Sequence, residues 1–513
     1  MVKFLTILGF IVAVTAHAAD LPLPAETRHS NHDYSIASLV KKNWIPKAFT
    51  SLDASAIYNQ SYEQDGFSLP TPDESKKIPK VLHLRDAILL ALRFNPTIKS
   101  EELQRVVDKY ALIVARNKFQ PQYTFDLEGT VTKGSHPSYT LTPSVSVTNE
   151  IGTKISLSQN NNINGAWGTT TLTVDQPILR GFGAVNMYDY ENALDSEEAA
   201  KLSFKQGVIS QVVAVVQAYR TLVGDYNSLD IQKRTLDEEE ITNKQTALKV
   251  KAGKMSRSDL LQEQATLETT RLSYVQQVDS VNQSYQAFLA AVGLTPAANI
   301  KISRDLDFKK YKIPSLKESI KLALKENIDY QSALIKLRLT ERALESAKDS
   351  TRWKLDLSAS VAAGRTKPNG ETSNVDVAPS VSAKLSIPID DVGLESSLVD
   401  ARIALEDAKL QLRVKKQGLI RDIYNKWISL KNQRNQIDIS LKQVSLQRRA
   451  LSDAQLKKKY GKATVFEVNQ LQDQLLQQET SSVSTQIAYL NGISAFYQSL
   501  GITLEKWDIK LRY

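Results

Sequence analysis

The chain has 513 residues, a formal net charge of +9 and no Cys. The lack of Cys excludes a disulfide framework, a thiolate metal site, a cysteine nucleophile and the acylated N-terminal Cys of a lipoprotein. Aromatic residues (7%), Gly (20) and Pro (16) are few for a set of β-rich globular domains, so we expect long helices. The positive charge is spread along helical faces, and we interpret it as solvated surface rather than as a nucleic-acid site.

The first 18 residues have the pattern of a secretory signal peptide. Lys3 precedes an apolar run, 4–14, and small residues follow up to a predicted cleavage site after Ala18. A membrane anchor is the alternative, but the run is about half of the ~20 residues that a spanning helix needs. We find no later stretch that is long and apolar enough to span as a helix, so entry into a membrane would require a barrel. Residues 19–80 are polar and lack apolar periodicity, which predicts an extended or irregular periplasmic segment.

An internal duplication organises the rest of the chain. The segment Leu84–Asn95 resembles Leu316–Asn327, and three later pairs of short matches keep the same order: 205–209 with 416–420, 253–254 with 461–462, and 293–294 with 501–502. A period of about 200 residues is too long for a solenoid unit. We therefore predict two repeats, 81–294 and 316–502, an inter-repeat segment, 295–315, and a C-terminal segment, 503–513.

Each repeat is predicted to begin with a helix and continue into strands. In the first repeat a helix runs from Leu82 to about Phe119, and apolar and polar residues then alternate over about 122–177; the second repeat alternates over about 353–388. Strands of this length and pattern are typical of transmembrane barrels, although an edge of a soluble β-sandwich alternates in the same way. The first strand region is longer, which indicates an additional hairpin. The segment 160–165 is a candidate turn in it, and the sequence leaves open which strand is the inserted one. We favour two spanning strands per repeat, with this hairpin outside the bilayer.

Long helical hairpins follow the strands in both repeats. No Pro occurs from Ala184 to Lys251, and apolar residues keep heptad spacing, which predicts a coiled-coil seam. The seam positions are Val208, Val212, Val215, Tyr219, Leu222, Tyr226 and Leu229, and in the second repeat Leu419, Ile423, Leu430 and Ile437. The helices are predicted to turn near Gly253 and Gly461.

From about residue 80 to 505 the chain resembles the outer-membrane efflux protein family, the TolC-like channels. The resemblance is carried by the duplication, the helix-strand-strand-helix order, the segment Gln176–Gly183 and the two Gly turns. It implies an α+β membrane protein in which a homotrimer shares a transmembrane β-barrel of four strands per copy and a long α-helical coiled-coil tunnel. A belt built from 295–314 and 507–511 would surround the tunnel. Trimerisation also follows from the strand edges, which lipid does not tolerate unless a ring closes them.

The function implied by this resemblance is that of an outer-membrane exit duct without enzymatic activity. Its partners would be a periplasmic adaptor (membrane fusion protein) and an inner-membrane pump or ABC transporter, in a tripartite efflux pump or a type I secretion system. The alternative is a periplasmic coiled-coil adaptor or structural interaction protein. The sequence does not identify the transported substrate. It shows no catalytic or phosphate-binding motif and no histidine spacing for a metal, so we predict no cofactor.

The resemblance also implies that the two hairpin turns close the tunnel and open when an adaptor docks. Gly253 with Asp259, and Gly461 with Glu467, match a family pattern of Gly followed by an acid, whereas the arginine latch is absent near Ala463. The candidates for the gate or pore constriction are Glu467, Asp259 and Gln470. Rings of acids favour cations, although an acid here can instead stabilise the start of its return helix. The candidates for adaptor contact, which can equally be a solvated loop, are Lys249, Lys251, Gly253, Lys254, Lys458, Gly461 and Lys462.

Overall fold

The computed structural model describes residues 81–131, 138–162, 166–305, 311, 313–366 and 374–511. The predicted signal peptide, 1–18, and the N-terminal segment, 19–80, lie outside the described residues. The first repeat contains β1 (Val81–Leu82), α1 (Leu84–Phe94), α2 (Pro96–Asn117), β2 (Gln122–Thr130), β3 (Ser138–Thr148), β4 (Lys154–Asn162), β5 (Ala166–Pro177), a 3-10 helix (Gly183–Met187), α3 (Tyr188–Lys251) and α4 (Arg257–Val292). The rest contains β6 (Lys301–Ile302), α5 (Leu316–Glu326), α6 (Ile328–Ser350), β7 (Lys354–Thr366), β8 (Asn374–Ser386), α7 (Val392–Lys459), α8 (Val465–Leu500) and α9 (Thr503–Lys506).

The opening helix of the first repeat is divided in two, which corrects the prediction of one helix over 82–119. Asn95 has extended backbone angles (φ −67°, ψ 120°), and its side-chain oxygen accepts a hydrogen bond from the backbone N–H of Thr97 at 2.8 Å. Pro96 disfavours helical angles at the residue before it and is itself well placed in the first turn of α2. Asn327 divides α5 from α6 in the same way and accepts from the N–H of Tyr330 at 3.0 Å.

All six long strands form one antiparallel sheet in the order β2-β3-β4-β5-β7-β8. Four strands of the first repeat pair in sequence with two of the second, so the additional hairpin belongs to the same sheet. That two strands per repeat span the bilayer, with this hairpin outside it, stays a prediction. In this register, apolar residues lie beside apolar residues on neighbouring strands, and polar residues lie beside polar ones. One apolar row crosses the sheet through Tyr123, Val145, Leu157, Leu172, Val361 and Pro379, and a polar row on the other face passes through Gln122, Ser146, Ser156, Thr173, Ser360 and Ser380.

The sheet is open among the described residues, with β2 and β8 at its two edges. Large apolar side chains on these edge strands are exposed, including Phe125 at 66% and Val381 at 84%. An exposed apolar face and two unpaired strand edges are unstable in water for an isolated sheet. The sheet therefore requires a cover on this face and partners at both edges.

Two antiparallel helical hairpins, α3–α4 and α7–α8, contain most of the helical residues among those that the structure describes. Helix α3 has 64 residues and α7 has 68, so each is roughly 100 Å long at ~1.5 Å per residue. The predicted seam is confirmed at its core, since Val208, Val212 and Leu222 are buried in one cluster. Ile423, Leu430 and Ile437 are buried in a second cluster at the other hairpin. Tyr226, Leu229 and Leu419 are only partly buried.

The buried seam also accounts for an apolar helical segment that we did not expect. One helical segment among the described residues, Gly183–Lys251, contains a window that is apolar and long enough to cross a membrane, whereas we expected no such stretch. Of that window, 61% is buried inside the protein. Its apolar residues are therefore the core of the helical packing.

The segments outside the two repeats pack onto both cores. Strand β1 pairs in parallel with β6, and the C-terminal Trp507, Ile509 and Leu511 lie against the first core cluster. Tyr311 and Ile313 lie against the second cluster, where the indole N–H of Trp427 donates to the carbonyl of Pro314 at 3.0 Å. That the two segments form a belt around a tunnel stays a prediction.

Candidate functional site

The turn of the first hairpin follows directly from its sequence. Helix α3 ends at Lys251, and Gly253 takes a left-handed conformation (φ 68°) that reverses the chain. The N–H of Lys254 donates to the carbonyl of Lys249 at 2.8 Å, a bond that satisfies a carbonyl of the last helical turn. Ser256 then caps α4.

The turn of the second hairpin is built in the same way. Helix α7 ends at Lys459, Gly461 is left-handed (φ 71°), and the N–H of Lys462 donates to the carbonyl of Lys457 at 2.9 Å. A Cβ added at either turn glycine would meet no atom within 4 Å. Gly253 and Gly461 are therefore needed for their backbone angles, and a side chain at either position would extend into open space.

Asp259 has a local structural role at the first turn. Its carboxylate accepts a hydrogen bond from the N–H of Ser256 at 3.2 Å, while its own N–H donates to the Ser256 hydroxyl at 3.1 Å. This reciprocal capping box stabilises the start of α4. It agrees with the alternative role of this acid, which is to stabilise the start of its return helix. A place for Asp259 in a pore constriction stays a prediction.

Glu467 and Gln470 differ from Asp259, because both side chains are exposed at the second tip. Thr464 caps α8 by accepting from the N–H of Glu467 at 3.1 Å, and the Glu467 carboxylate takes no part in that cap. Its negative charge near the helix start is favourable in any case. The carboxylate is therefore available to a pore or a partner, and this role also stays a prediction.

The basic residues of the tips fall into two groups. Lys251, Lys254 and Lys462 are exposed, as the adaptor-contact hypothesis requires, whereas Lys249 and Lys458 are half-buried. Sequence reasoning missed the apolar side chains that accompany them. Tyr460 is 74% exposed, and Leu248, Leu261 and Phe466 are exposed as well. Large apolar residues beside a glycine turn in a polar segment were the signal that could have found them.

A buried acidic cluster a few turns above the tips was also missed. Glu239 of α3 and Glu263 of α4 have 1% and 0% of their surface exposed. Burial, and then the negative charges of Glu263 and Asp473, raise the pKa of the Glu239 carboxyl from the usual 4.5 to about 7, against the opposing effect of Lys458. Glu239 lies about two turns beyond buried Ile231 on α3. Heptad spacing continued past Leu229 falls on Lys233, Leu236 and Glu240, so the seam did not indicate Glu239.

The second hairpin meets this cluster with one cation and two amides. Asn469 of α8 donates to a carboxylate oxygen of Glu263 at 3.0 Å, and Gln472 donates to Glu238 at 3.5 Å. Lys458 of α7 is held close enough for its pKa to respond: burial lowers that pKa, and the charges of Glu263 and Glu239 raise it. Among the described residues, no group of three or more acidic or histidine side chains could hold a metal ion.

Comparison with solved structures shows that other proteins share this fold. The chain is similar to the VceC outer membrane protein of Vibrio cholerae (TM-score 0.64, 17% identity, covering 82% of this chain and 96% of that one). It is also similar to the MtrE outer membrane channel of Neisseria gonorrhoeae (0.64, 16%, 82% and 89%) and to the CmeC outer membrane channel of Campylobacter jejuni (0.63, 15%, 82% and 86%). At these identities the similarity establishes the fold.

A family model also matches part of the sequence. Residues 87–294 match the model of the family described as outer membrane efflux protein. The resemblance noted in the sequence is thereby confirmed, and so is the predicted location in the outer membrane. No curated protein sequence matches the chain significantly.

Proposed function

We propose that this protein is a homotrimeric exit duct that carries molecules passively through the outer membrane as the last component of an efflux pump. The observation that carries the proposal is the open six-stranded sheet, whose two free edges and exposed apolar face require lipid and further copies of the same sheet. Three copies would supply about 18 strands, and closed barrels of about 16 to 18 strands leave an aqueous channel. The duct catalyses no reaction.

The helical part supports a tunnel continuous with such a barrel. Each hairpin follows the last strand of its repeat, the first after β5 and the second after β8, and both are roughly 100 Å long. That length is enough to reach far into the periplasm from an outer-membrane barrel. The tips would then be the end that faces an inner-membrane pump or ABC transporter and its periplasmic adaptor.

The side chains at the tips suit both of their expected roles, which are adaptor binding and pore constriction. Exposed Lys251, Lys254 and Lys462, together with exposed Tyr460 and Phe466, form a mixed basic and apolar surface of the kind that protein partners bind. Glu467 from three copies would bring negative charge to the axis and favour cations. A periplasmic adaptor identity is less well supported, because it offers no use for a six-stranded sheet with an exposed apolar face.

Cysteine cross-linking between the edge strands tests the closed ring directly, since the natural chain has no Cys. Thr124→Cys in β2 is combined with Ser382→Cys in β8, and neighbouring positions are scanned to allow for the unknown register. We expect oxidation in outer-membrane vesicles to give disulfide-linked dimers and trimers. The matched control pairs Ser156→Cys of the inner strand β4 with Ser382→Cys and should give none. Monomers in every register, with mature protein soluble without detergent, would refute the proposal.

Deletion of the gene separates efflux from secretion. Increased sensitivity to toxic compounds, restored by the wild-type protein, is expected for an efflux duct. Normal resistance combined with loss of secreted proteins would instead assign the duct to a type I secretion system.

A further inference from the structure

The buried acids near the tips lie on the contact between the two hairpins of one protomer. Glu239 and Glu263 belong to the α3–α4 hairpin, and the residues that face them, Lys458, Asn469 and Asp473, belong to the α7–α8 hairpin. The bond from Asn469 to Glu263 at 3.0 Å is a direct hydrogen bond between the hairpins at this level. A change of charge here therefore acts on the packing of one hairpin against the other.

The cluster is incompletely satisfied when both acids are ionised. Among the described residues, no hydrogen-bond donor reaches Oε2 of Glu239 or Oε1 of Glu263, and both atoms are buried. A buried carboxylate oxygen without a donor is costly, because it has lost its water without gaining a partner. Protonation of Glu239 removes the charge from one of these oxygens and leaves a single buried negative charge opposite Lys458.

We propose that Glu239 and Glu263 form a proton-dependent lock that holds the two hairpin tips of each protomer together and releases them as the pH rises. In the packed state Glu239 carries the proton, and Glu263 keeps its charge beside Asn469 and Lys458. When Glu239 loses its proton, two like charges face each other in a buried site, and separation of the hairpins hydrates both. That such separation opens the duct rests on the proposed function, whereas the lock itself does not.

Acids on three helices act on Glu239 in the same direction. Glu238 on α3, Glu263 on α4 and Asp473 on α8 disfavour a second negative charge at Glu239, and Lys458 on α7 is the cation that opposes them. The positive charge of Lys249 on α3 lowers the pKa of Lys458, which makes Lys458 a weaker counter-charge to the acids. A cavity of about 400 Å³, lined in part by Glu238 and Gln472, lies beside the cluster.

The sign and size of the effect follow from linkage. The pKa of Glu239 is about 7 when the tips are packed and would return to the usual 4.5 when the site is hydrated. The packed state therefore binds a proton that the separated state releases, so its advantage is complete below pH 4.5 and is lost as the pH rises through about 7. Between pH 6 and pH 8 the ratio of separated to packed tips should rise about 10-fold.

Distance measurement between spin labels tests the lock in the intact trimer. Labels are placed at Lys254→Cys and Lys462→Cys, one on each tip, and labelled chains are diluted with unlabelled ones so that only distances within a protomer are read. In the wild-type background the ratio of the longer-distance to the shorter-distance population should increase about 10-fold from pH 6 to pH 8. The Glu239→Gln variant, which is neutral at every pH and has the same shape, should stay packed throughout.

Two further variants complete the test. Asp237→Asn changes an exposed acid on the same helix and should keep the full pH response. Glu263→Gln removes the strongest neighbouring charge, which lowers the pKa of Glu239, so it should reduce the rise in separated tips between pH 6 and pH 8. An unchanged distance distribution between pH 6 and pH 8, or a Glu239→Gln variant with the wild-type response, would overturn the lock. The distances are read without an export assay, so a pH response in a protein whose deletion has no transport phenotype would reject the proposed function and leave the lock standing.

Discussion

Replacing Gly501 with alanine tests how each repeat anchors its last helix to its first. Gly501 ends α8 with φ 78°, and an added Cβ would lie about 2.5 Å from the carbonyl carbon of Glu326, in the corner between α5 and α6. The left-handed backbone costs alanine about 1–2 kcal/mol. Displacing α8 from this corner costs about 1–3 kcal/mol in packing. It also breaks the 2.9 Å bond from Asn327 to the carbonyl of Ser499, worth about 1 kcal/mol.

The free energy of unfolding should therefore fall by about 3–6 kcal/mol in Gly501→Ala. Guanidinium unfolding of the detergent-solubilised protein, followed by helical circular dichroism, measures this loss. Gly461→Ala is the matched control, because Gly461 has φ 71° and open space around its Cβ, so only the backbone term of about 1–2 kcal/mol applies. Equal destabilisation of the two variants would show that the corner contact contributes nothing.

Two other predictions concern the tips and the contact between the repeats. Bulky residues in place of Gly253 and Gly461 point into open space, so trimers should persist on mild detergent gels. Export should be abolished, because the altered tips would no longer fit an adaptor. Unchanged resistance to toxic compounds would argue against a role for the tips. Asp195→Asn should weaken the α3–α6 contact by about 3 kcal/mol, because Arg338 and Arg342 lose their buried partner. Burial alone would raise the pKa of Asp195, but the hydrogen bonds from the two arginines hold it below the usual 3.8. The wild-type contact should thus be constant from pH 5 to pH 8 and fail only as the pH falls through this lowered pKa, which urea unfolding at several pH values checks.

Local rules predicted most of the architecture. The seam from Val208 to Leu222 was visible because heptad spacing marks a helix face that other helices cover. The turns at Gly253 and Gly461 were visible because helices commonly end at a left-handed glycine. The alternation of strands β2 to β8 was visible because one face is apolar and the other is rich in Ser and Thr. Each of these signals lies within a few residues of the structure that it predicts.

The errors arose where pairing or burial depends on distant parts of the chain. Asn95 and Asn327 interrupt helices whose apolar pattern continues across the break, and the carbonyls that their side chains reach on α4 and α8 add distant contacts to the local caps. The number of strands in the sheet depended on the partner of each strand, which alternation does not specify. The burial of Glu239 and Glu263 depended on a second hairpin packing over them, so neither acid stood out among the other charges of its helix.

The two repeats are alike where the fold is fixed and different where the hairpins meet. At the corners, Asn95 donates to the carbonyl of Ala291 at 2.8 Å, and Asn327 donates to that of Ser499 at 2.9 Å. Near the tips the repeats differ, since the first hairpin supplies two buried acids and the second supplies a lysine and two amides together with a further acid, Asp473. A lysine and amide donors opposite buried acids can bind and release them as the charge of the acids changes. The repeats thus differ both in the number of their strands and at the contact whose strength a gate would have to change.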